Sequence, residues 1–173
     1  MATIRELEAK VAALGDRVAE LADERAIREL LARYCYSADT GRNKAYGDLY
    51  TEDGVFDIWG PQGMTRAVGK KQIIGLIADH KGQVAIENKW MHLAGNNVVA
   101  RINGSTATVN SYNVTLVRQG DNIVVRTTGY NLWTLAKVKG KWLVKGRKRY
   151  NIDSKEYGQV LHATLGLGNK KSL

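Results

Sequence analysis

The sequence predicts an α+β protein in which one antiparallel sheet packs against helices that come first in the chain. Apolar residues recur at helical spacing through about the first third of the 173 residues. Strand-like segments separated by turn residues fill most of the remainder, and their connections are too short for parallel neighbours. Helices followed by sequential strands are typical of a two-layer arrangement, with one sheet face on the helices.

The first 23 residues have a narrow apolar seam with alternating spacings of three and four. The seam is formed by Ile4, Leu7, Val11, Leu14, Val18 and Leu21. This heptad pattern, almost three repeats long, indicates a helix that needs a partner. Gly15 weakens the helix, and a seam of this length is marginal alone, so we expect it to pack on the body or on another subunit.

From Asp23 onward the apolar stripe moves to another set of positions and predicts a helix with one face on a core. The stripe is formed by Ile27, Leu30, Leu31, Tyr34 and Ala38. Thr40-Gly41 predicts its end, with Gly41 as a left-handed cap. A short helical piece over 45–50, a strand in "GVFDIWG", a loop at Pro61 and Gly63, and a helix in "KKQIIGLIADH" follow.

The second half of the chain predicts a four-stranded meander. Its strands are "KWMHLAGNNVVARI", "TATVNSYNVTLV", "NIVVRTTGYNLWTLAKV" and "KWLVKGRKRYNI". The links Asn103-Gly104, residues 119–122 and Lys139-Gly140 are good hairpin connections, so these strands are expected to be antiparallel.

Composition favours a single domain over residues 1–173, with a 1–23 amphipathic helix, a 24–151 core and a 152–173 C-terminal extension. The single cysteine, Cys35, rules out an internal disulfide and suits a reducing compartment; in a helix it is expected to be a small buried residue. No signal peptide or membrane-length apolar stretch is recognisable, so we expect a cytoplasmic protein without membrane association.

The net charge of +9 and the pI near 9.7 leave three explanations: attraction to nucleic acid, handling of an anionic small molecule, or simple solubility. Neither interleaved aromatics nor a known nucleic-acid motif accompanies the basic residues, so a nucleic-acid partner is not expected.

Two side chains are candidates for acid–base chemistry. Asp39 falls at the edge of the apolar stripe at the helix end, where it could face inward or be an ordinary exposed carboxylate. His92 lies in a predicted strand, and strand alternation places it on the same face as Trp90, away from Met91 and Leu93. It is either a core residue with a hydrogen-bond partner or a general base in an apolar pocket.

The later strands carry more polar residues than a purely apolar sheet face should have. Alternation groups Asn113 with Thr115, Asn131 with Gly129 and Trp133, and Arg147 with Arg149 and Asn151. The phase of Arg147 and Arg149 stays open, because a register shifted by one residue would make them a basic outer face. Trp59, Trp90 and Trp133 are candidates for the walls of a pocket or for the core, and Trp142 is assigned to the core.

Other chemistries are disfavoured by the sequence. Paired histidines or cysteines with metal-ligand spacing are lacking, and no Gly-rich phosphate loop follows a strand. We therefore expect no metal and no cofactor. A nucleophile triad around Cys35 is poorly placed on the core side of a helix.

Residues 24–58, "ERAIRELLARYCYSADTGRNKAYGDLYTEDGVFDI", resemble the opening of the SnoaL-like branch of the nuclear-transport-factor-two-like superfamily. "KWMHLAGNNVV" and "GKWLVKGRKRY" resemble a histidine strand and the last strand of that family. The resemblance covers about residues 24–150. It implies a cone-shaped barrel, in which a curved antiparallel sheet wraps around N-terminal helices and leaves an apolar pocket in its mouth.

Members of the family include scytalone dehydratase, lindane dehydrochlorinase and bile acid dehydratase. The lyases pair an Asp at the end of the first core helix with a strand His, and the matching positions here are Asp39 and His92. Tyr34 matches a tyrosine five residues before the Asp in the bile acid dehydratase pattern, whose pocket arginine corresponds to Arg147 or Arg149.

Asn131 resembles a pocket asparagine of scytalone dehydratase, whose second histidine has no counterpart here. The resemblance thus implies a cofactor-free lyase in which Asp39 orients His92 as the base and Tyr34, with Asn131 or a water, helps a hydroxyl leave. Trp59, Trp90 and Asn113 are expected to contact the substrate, with the arginines as a clamp for an anion.

The expected substrate is a hydroxylated, ring-containing and possibly anionic small molecule in an apolar pocket, as in aromatic compound metabolism. Alternatives are an isomerase or cyclase, an aldehyde-releasing carbon–carbon lyase, and a non-catalytic module that binds a small molecule or nucleic acid. We expect a homo-oligomer, either dimer or trimer, because the first helix and the sheet edges need cover.

Overall fold

A computed structural model describes residues 2–78 and 90–164. The elements are α1 (Ile4–Asp39), α2 (Asn43–Gly47), β1 (Tyr50–Gly60), β2 (Gly63–Val68), α3 (Gly69–Ala78), β3 (Trp90–Asn103), β4 (Thr106–Gln119), β5 (Asn122–Val138), β6 (Lys141–Asn151) and α4 (Tyr157–Thr164). The strands form one sheet in the order β2-β1-β6-β5-β4-β3. Over the described residues the sheet is curved and does not close, because its two edge strands, β2 and β3, do not pair with each other. The predicted α+β class, with helices preceding an antiparallel sheet, is confirmed.

The two predicted N-terminal segments form one uninterrupted helix, α1. A capping box starts it: the Thr3 hydroxyl accepts from the Glu6 amide, and the Glu6 carboxylate accepts from the Thr3 amide. The helix ends at Asp39, and Gly41 adopts the predicted left-handed conformation with φ 62°. No proline interrupts α1, so the shift of the stripe near Asp23 changes which face is apolar without breaking the helix.

The two halves of α1 lie in different surroundings. The heptad seam of the first half is solvent-exposed, from 51% at Leu7 to 77% at Ile4. The expected packing of this seam on the body is therefore wrong, and packing on another subunit stays a prediction. The second half is buried from Ile27 onward and lies against the sheet.

Asp23 marks the point where α1 joins the body. Its Oδ1 accepts from Lys137 Nζ at 2.6 Å and from Trp142 Nε1 at 2.9 Å. The Lys137 ammonium, followed by the Trp142 indole N–H, lowers the pKa of Asp23. Trp142 belongs to the core cluster, as its sequence position predicted.

The predicted meander is confirmed by β3 to β6, which pair antiparallel in sequence. Its turns take positive φ at Gly104, Gly120, Lys139 and Gly140, as the hairpin residues require.

Three features were not predicted. The loop at 61–63 is the turn of a hairpin between β1 and β2, β1 runs parallel to β6, and α4 lies in the C-terminal extension. The end of the predicted helix in "KKQIIGLIADH", including His80, lies outside the described residues. Among the helices described, none is both long and apolar enough to span a bilayer.

Candidate active site

The end of α1 is fastened to the edge of the sheet at β3. β3 pairs with β4 on one side, and an edge strand leaves main-chain N–H groups without ladder partners. The His92 N–H donates to both carboxylate oxygens of Asp39, at 3.1 and 3.0 Å, and the Ala94 N–H donates to Cys35 Sγ at 3.4 Å. Side chains of the helix therefore cap the exposed backbone of the strand.

The spacings of helix and strand explain this match. Asp39 and Cys35 are one helical turn apart, about 6 Å along the axis, and His92 and Ala94 are about 6.8 Å apart along a strand. Further along, a Cβ added to Gly95 would lie 3.2 Å from Leu31 Cβ, so a glycine there allows the close approach of helix and strand.

Asp39 and His92 also meet through their side chains. Asp39 Oδ1 lies 2.5 Å from His92 Nδ1, across a sequence separation of 53 residues. Both side chains are mostly buried, with 19% of Asp39 and 16% of His92 exposed. Because a carboxylate only accepts hydrogen bonds, this contact assigns the single proton of a neutral imidazole to Nδ1 and leaves the lone pair of Nε2 free. An imidazole in this tautomer can act as a general base.

The surroundings of the pair favour a fixed geometry. Asp39 ends α1, where the helix dipole disfavours a negative charge. The main-chain N–H and the ring N–H of His92 both donate to the Asp39 carboxylate and stabilise its negative charge. The Trp90 ring lies nearly parallel to the His92 ring, with centroids 6.2 Å apart, so the imidazole is held from one face by an aromatic wall.

A second polar cluster lies deeper on the inner sheet face, around the Arg147 guanidinium. Arg147 is 1% exposed. Its Nε and Nη2 donate to Asn131 Oδ1 at 3.0 and 2.8 Å, Nη2 also donates to Asn113 Oδ1 at 3.1 Å, and Nη1 donates to the Tyr34 hydroxyl. Within residues 2–78 and 90–164 no carboxylate pairs with this cation. Its hydrogen-bond partners are neutral.

The same guanidinium is enclosed by aromatic rings. It lies 4.7 Å from the Tyr34 ring centroid and 4.5 Å from those of Phe56 and Trp133. Trp133 is accordingly a buried partner of Arg147. Cation–π contacts of this kind stabilise a cation that has left water.

The Asn131 carboxamide is used fully by the protein. Its oxygen accepts from Arg147, and its Nδ2 donates to Ser111 Oγ at 3.2 Å and to the Ala94 and Tyr112 carbonyls at 3.4 Å. The expected contact of Asn131 with substrate therefore has no donor or acceptor left to make it. Its position links the β3 edge beside His92 to Arg147.

Tyr34 lies in this deeper cluster. The Tyr46 hydroxyl donates to the Tyr34 oxygen at 2.9 Å, and Arg147 donates to the same oxygen. Burial, followed by the neighbouring phenols, raises the pKa of Tyr46 well above its ordinary value, so Tyr46 stays a protonated donor. With its oxygen accepting two bonds, Tyr34 has its own proton to donate. Its described hydrogen bonds lead to Tyr46 and Arg147 and not to the Asp39–His92 pair.

Arg149 lies on the inner face two residues beyond Arg147. It makes no hydrogen bond to any residue that the structure describes, and its Nε is buried without a partner. Burial, and then the like charge of Arg147, lowers the pKa of Arg149 to about 10. Arg149 is therefore charged at neutral pH but poorly solvated. The open question of strand phase is answered: both arginines face inward.

Other polar atoms on this face are also unpaired within the described residues. They are Asn113 Nδ2, Thr115 Oγ1, Thr127 Oγ1 and Asn151 Oδ1. Asn113, whose oxygen binds Arg147, thus keeps an amide group that can donate to a ligand.

The tryptophans are separated by the structure. Trp90 contacts His92, whereas Trp59 pairs in register with Tyr150 and stacks on its ring at 4.6 Å. Because Ile58 is the residue in register with the inward-facing Arg149, alternation puts Trp59 on the outer face. The expected role of Trp59 as a wall of the inner pocket is corrected accordingly.

No role for Ser111 or Tyr46 was predicted from sequence patterns. The Ser111 hydroxyl donates to the Ala94 carbonyl at 2.5 Å and accepts from Trp133 Nε1 at 3.0 Å. Its place on the same alternating face as Asn113 and Thr115 is the signal that could have identified it.

Two grooves lie away from the Asp39–His92 pair. One of about 380 Å³ crosses the outer sheet face beside the Asp57–Arg66 ion pair, and one of about 420 Å³ lies between α1 and the start of β6. Neither groove is lined by Asp39 or His92, so the candidate site is defined by the contacts of its side chains and not by either groove. Among the described residues, no three His, Cys, Asp or Glu side chains gather as a metal site would require.

The fold and this inner face define a class, a small-molecule-processing domain with a curved sheet wrapped on helices. The sequence profile of the SnoaL-like domain matches residues 19–148, and the chain belongs to this family of the NTF2-like superfamily. The resemblance drawn from the sequence is confirmed. A search among curated proteins found no match.

Solved structures agree with this assignment. An NTF2-like protein with a cystatin-like fold from Novosphingobium aromaticivorans is 26% identical, with 93% of this chain and 98% of that chain covered and a TM-score of 0.71. A Mycobacterium tuberculosis protein of unknown function is 23% identical over 80% of this chain and 77% of its own, with a TM-score of 0.69. A putative scytalone dehydratase from N. aromaticivorans is 21% identical over 80% and 89%, with a TM-score of 0.63.

Proposed function

We propose that this protein is a cofactor-independent lyase that eliminates water from a hydroxylated, ring-containing small molecule. The observation that carries the proposal is the contact of 2.5 Å between Asp39 Oδ1 and His92 Nδ1. The likeness to a putative scytalone dehydratase supports the fold of such an enzyme.

His92 is the general base in this proposal. Asp39 accepts a hydrogen bond from Nδ1–H and stabilises the positive charge that develops on the ring, and Nε2 removes a proton next to a carbonyl or an aromatic ring of the substrate. Trp90 offers a flat apolar surface for the substrate ring beside the base. General-base catalysis of this kind contributes about 10²- to 10⁴-fold in rate.

The leaving hydroxyl needs a proton donor on the inner face. Tyr34 is the candidate, because Arg147 and Tyr46 both donate to its oxygen and orient its own proton away from them. His92 takes the proton from carbon, and the electron pair of that C–H bond forms the new double bond. The C–O bond breaks, and the hydroxyl leaves as water with the proton from Tyr34. The product is an alkene conjugated to the carbonyl or ring.

A substrate with two possible fates tests the reaction type. The aldol adduct of benzaldehyde and acetone gives benzylideneacetone on dehydration, whereas carbon–carbon cleavage releases benzaldehyde and acetone. We expect the wild type to dehydrate this adduct and a panel of related β-hydroxy ketones, which mass spectrometry detects as a product lighter by one water. We expect His92→Ala to be slower by about 10²- to 10⁴-fold. A rate unchanged in His92→Ala would remove the proposed base.

Other products would redirect the proposal. Aldehyde release would favour the carbon–carbon lyase, and an isomeric product of unchanged mass would favour an isomerase or cyclase on the same pair. Binding without any His92-dependent product would indicate a non-catalytic module. His162→Ala is the matched control, since His162 is exposed in α4 and should leave the rate unchanged.

A further inference from the structure

The inner sheet face contains two guanidinium groups with different surroundings. Arg147 is saturated by neutral acceptors and aromatic rings. Arg149 shares the face and has no hydrogen-bond partner among residues 2–78 and 90–164. Arg149 is partly buried, and its Nε is shut off from water without a partner. A buried donor in this state is unfavourable, and the cost is expected to persist until something binds it.

The unpaired atom of Arg149 indicates the kind of partner that fits. A buried, unpaired Nε leaves the Nε–Nη edge of the guanidinium available, and this edge matches the two oxygens of a carboxylate. The Asn113 amide, on the same face, has an unpaired donor as well. Both groups are donors, as recognition of an anion requires.

We propose that Arg149 anchors an anion subsite on the inner face, and that its ligand is a carboxylate attached to an aromatic ring. This inference rests on the proposed function in one respect, that the substrate occupies the inner face. Arg147 is not the anchor, because its donors are bound to Asn131, Asn113 and Tyr34. It positions Asn113 and Tyr34 instead.

A pair of probes that differ only in charge tests the subsite. Kd is measured for naphthoate and for naphthamide by calorimetry, with the wild type, Arg149→Met and Arg149→Lys. One charge-assisted hydrogen bond is worth about tenfold or more in Kd, so the wild type should prefer naphthoate by about that factor. Arg149→Met should bind both probes equally, and Arg149→Lys should keep part of the preference.

Lys148→Met is the matched control, because it removes one positive charge from the neighbouring, exposed position of β6. It should keep the preference for naphthoate. Equal binding of the two probes by the wild type, or a preference that survives in Arg149→Met, would overturn the subsite. Because binding needs no turnover, a wild type that prefers naphthoate and converts no β-hydroxy ketone would refute the lyase and keep the subsite.

A second inference follows independently from the exposed seam of α1. The seam has β-branched residues at the a positions, Ile4, Val11 and Val18, and leucine at the d positions, Leu7, Leu14 and Leu21. This distribution favours a parallel coiled coil of two helices over one of three or four helices. All six side chains are more than half exposed.

The size of the seam and its charges agree with a pair of copies. At roughly 100 Å² for each apolar side chain, two seams bury roughly 1,200 Å², which is the lower limit of a standard interface. In an antiparallel pair with full overlap, Lys10 would face Arg17 of the other helix. In a parallel pair the residues flanking the seam bring no like charges together, since Lys10 meets Gly15 and Arg17 meets Ala22.

We infer that two copies of this chain associate through a parallel coiled coil over residues 4–21. Light scattering of the full chain should show that Leu14→Glu has about half the wild-type mass or less, whereas Ala13→Glu, beside the seam, should keep it. Equal masses for Leu14→Glu and wild type would overturn the interface.

Chain direction is tested separately. A parallel pair places the two copies of residue 7 together, so Leu7→Cys should cross-link on oxidation and Ala9→Cys should not. Association of wild type without cross-linking of Leu7→Cys would overturn the parallel arrangement.

Discussion

Replacing Asp39 with Asn separates the structural and chemical duties of this carboxylate. Asp39 accepts the main-chain N–H of His92 with both oxygens and the imidazole N–H with Oδ1. An amide has one accepting oxygen, and its NH₂ would face another donor. With its oxygen in the place of Oδ1, the Asn side chain turns its NH₂ toward the His92 main-chain N–H. With the amide reversed, the NH₂ faces Nδ1 and favours the tautomer protonated on Nε2.

The expected magnitude follows from these contacts. Hydrogen bonds to charged groups contribute about 1.5–3 kcal/mol and those to neutral groups about 1 kcal/mol. We expect Asp39→Asn to lower the free energy of unfolding by about 2 kcal/mol. Loss of the oriented base should cost about 10²- to 10⁴-fold in rate, or about 3–5 kcal/mol of barrier.

Nitrogen-15 NMR of histidine-labelled protein provides an assay that needs no substrate, since the chain has three histidines and His92→Gln assigns the signal. In the wild type, His92 should carry its proton on Nδ1, and Asp39→Asn should give a mixture of tautomers. Asp48→Asn is the control, an exposed carboxylate paired with Lys44. A wild-type His92 protonated on Nε2 alone, or an Asp39→Asn variant indistinguishable from wild type, would refute this reasoning.

Three further predictions concern stability. Arg149→Met should stabilise the ligand-free protein by at most about 3 kcal/mol, because a pKa lowered to about 10 indicates an unfavourable buried charge. This gain should shrink above pH 10, where wild-type Arg149 loses its proton. A variant with a lower Tm than the wild type at neutral pH would contradict the prediction. Because the pKa of Asp23 is lowered, its contribution is present above the unfolded value of 3.8 and lost as pH falls through the folded pKa. Asp23→Asn should therefore lower Tm at pH 7 and have little effect near pH 2, and an equal effect at both pH values would count against the ion pair. Gly129→Ala should cost about 1–3 kcal/mol, because a Cβ there would collide with the Tyr150 carbonyl oxygen, whereas Gly15→Ala, with open space around it, should stabilise α1 by about 1 kcal/mol; similar Tm changes for both, measured by calorimetry, would refute this account.

Local patterns predicted the parts of the fold that depend on neighbours in sequence. The stripe from Ile27 to Ala38 and the hairpin residues around Gly104 and Gly140 each act within a few positions. The parallel pairing of β1 with β6 depends on segments some ninety residues apart, about which local periodicity says nothing. The residues of the candidate site also divide into those that local patterns identify and those that depend on long-range pairing. Asp39 and His92 could be chosen from position and chemistry, but the inward phase of Arg149 depends on register.

The two asparagines illustrate what pattern alone leaves undecided. Asn113 and Asn131 have the same chemistry and both face inward, and both oxygens bind Arg147. The amide nitrogen of Asn131 is bound by Ser111 and two carbonyls, whereas that of Asn113 is not. Only the arrangement of neighbouring strands distinguishes a residue that supports the site from one that can contact a ligand.

The way Asp39 holds the main chain of β3 has a consequence for reading relatives of this protein. Its bonds to the His92 amide depend on the backbone and not on the imidazole, so any residue at position 92 except proline could supply the same N–H. A family member without the histidine would still need the aspartate to accept the main-chain N–H of the edge strand. Finding the aspartate alone in another member is therefore a sign of shared architecture, and chemistry should be inferred only where the histidine accompanies it.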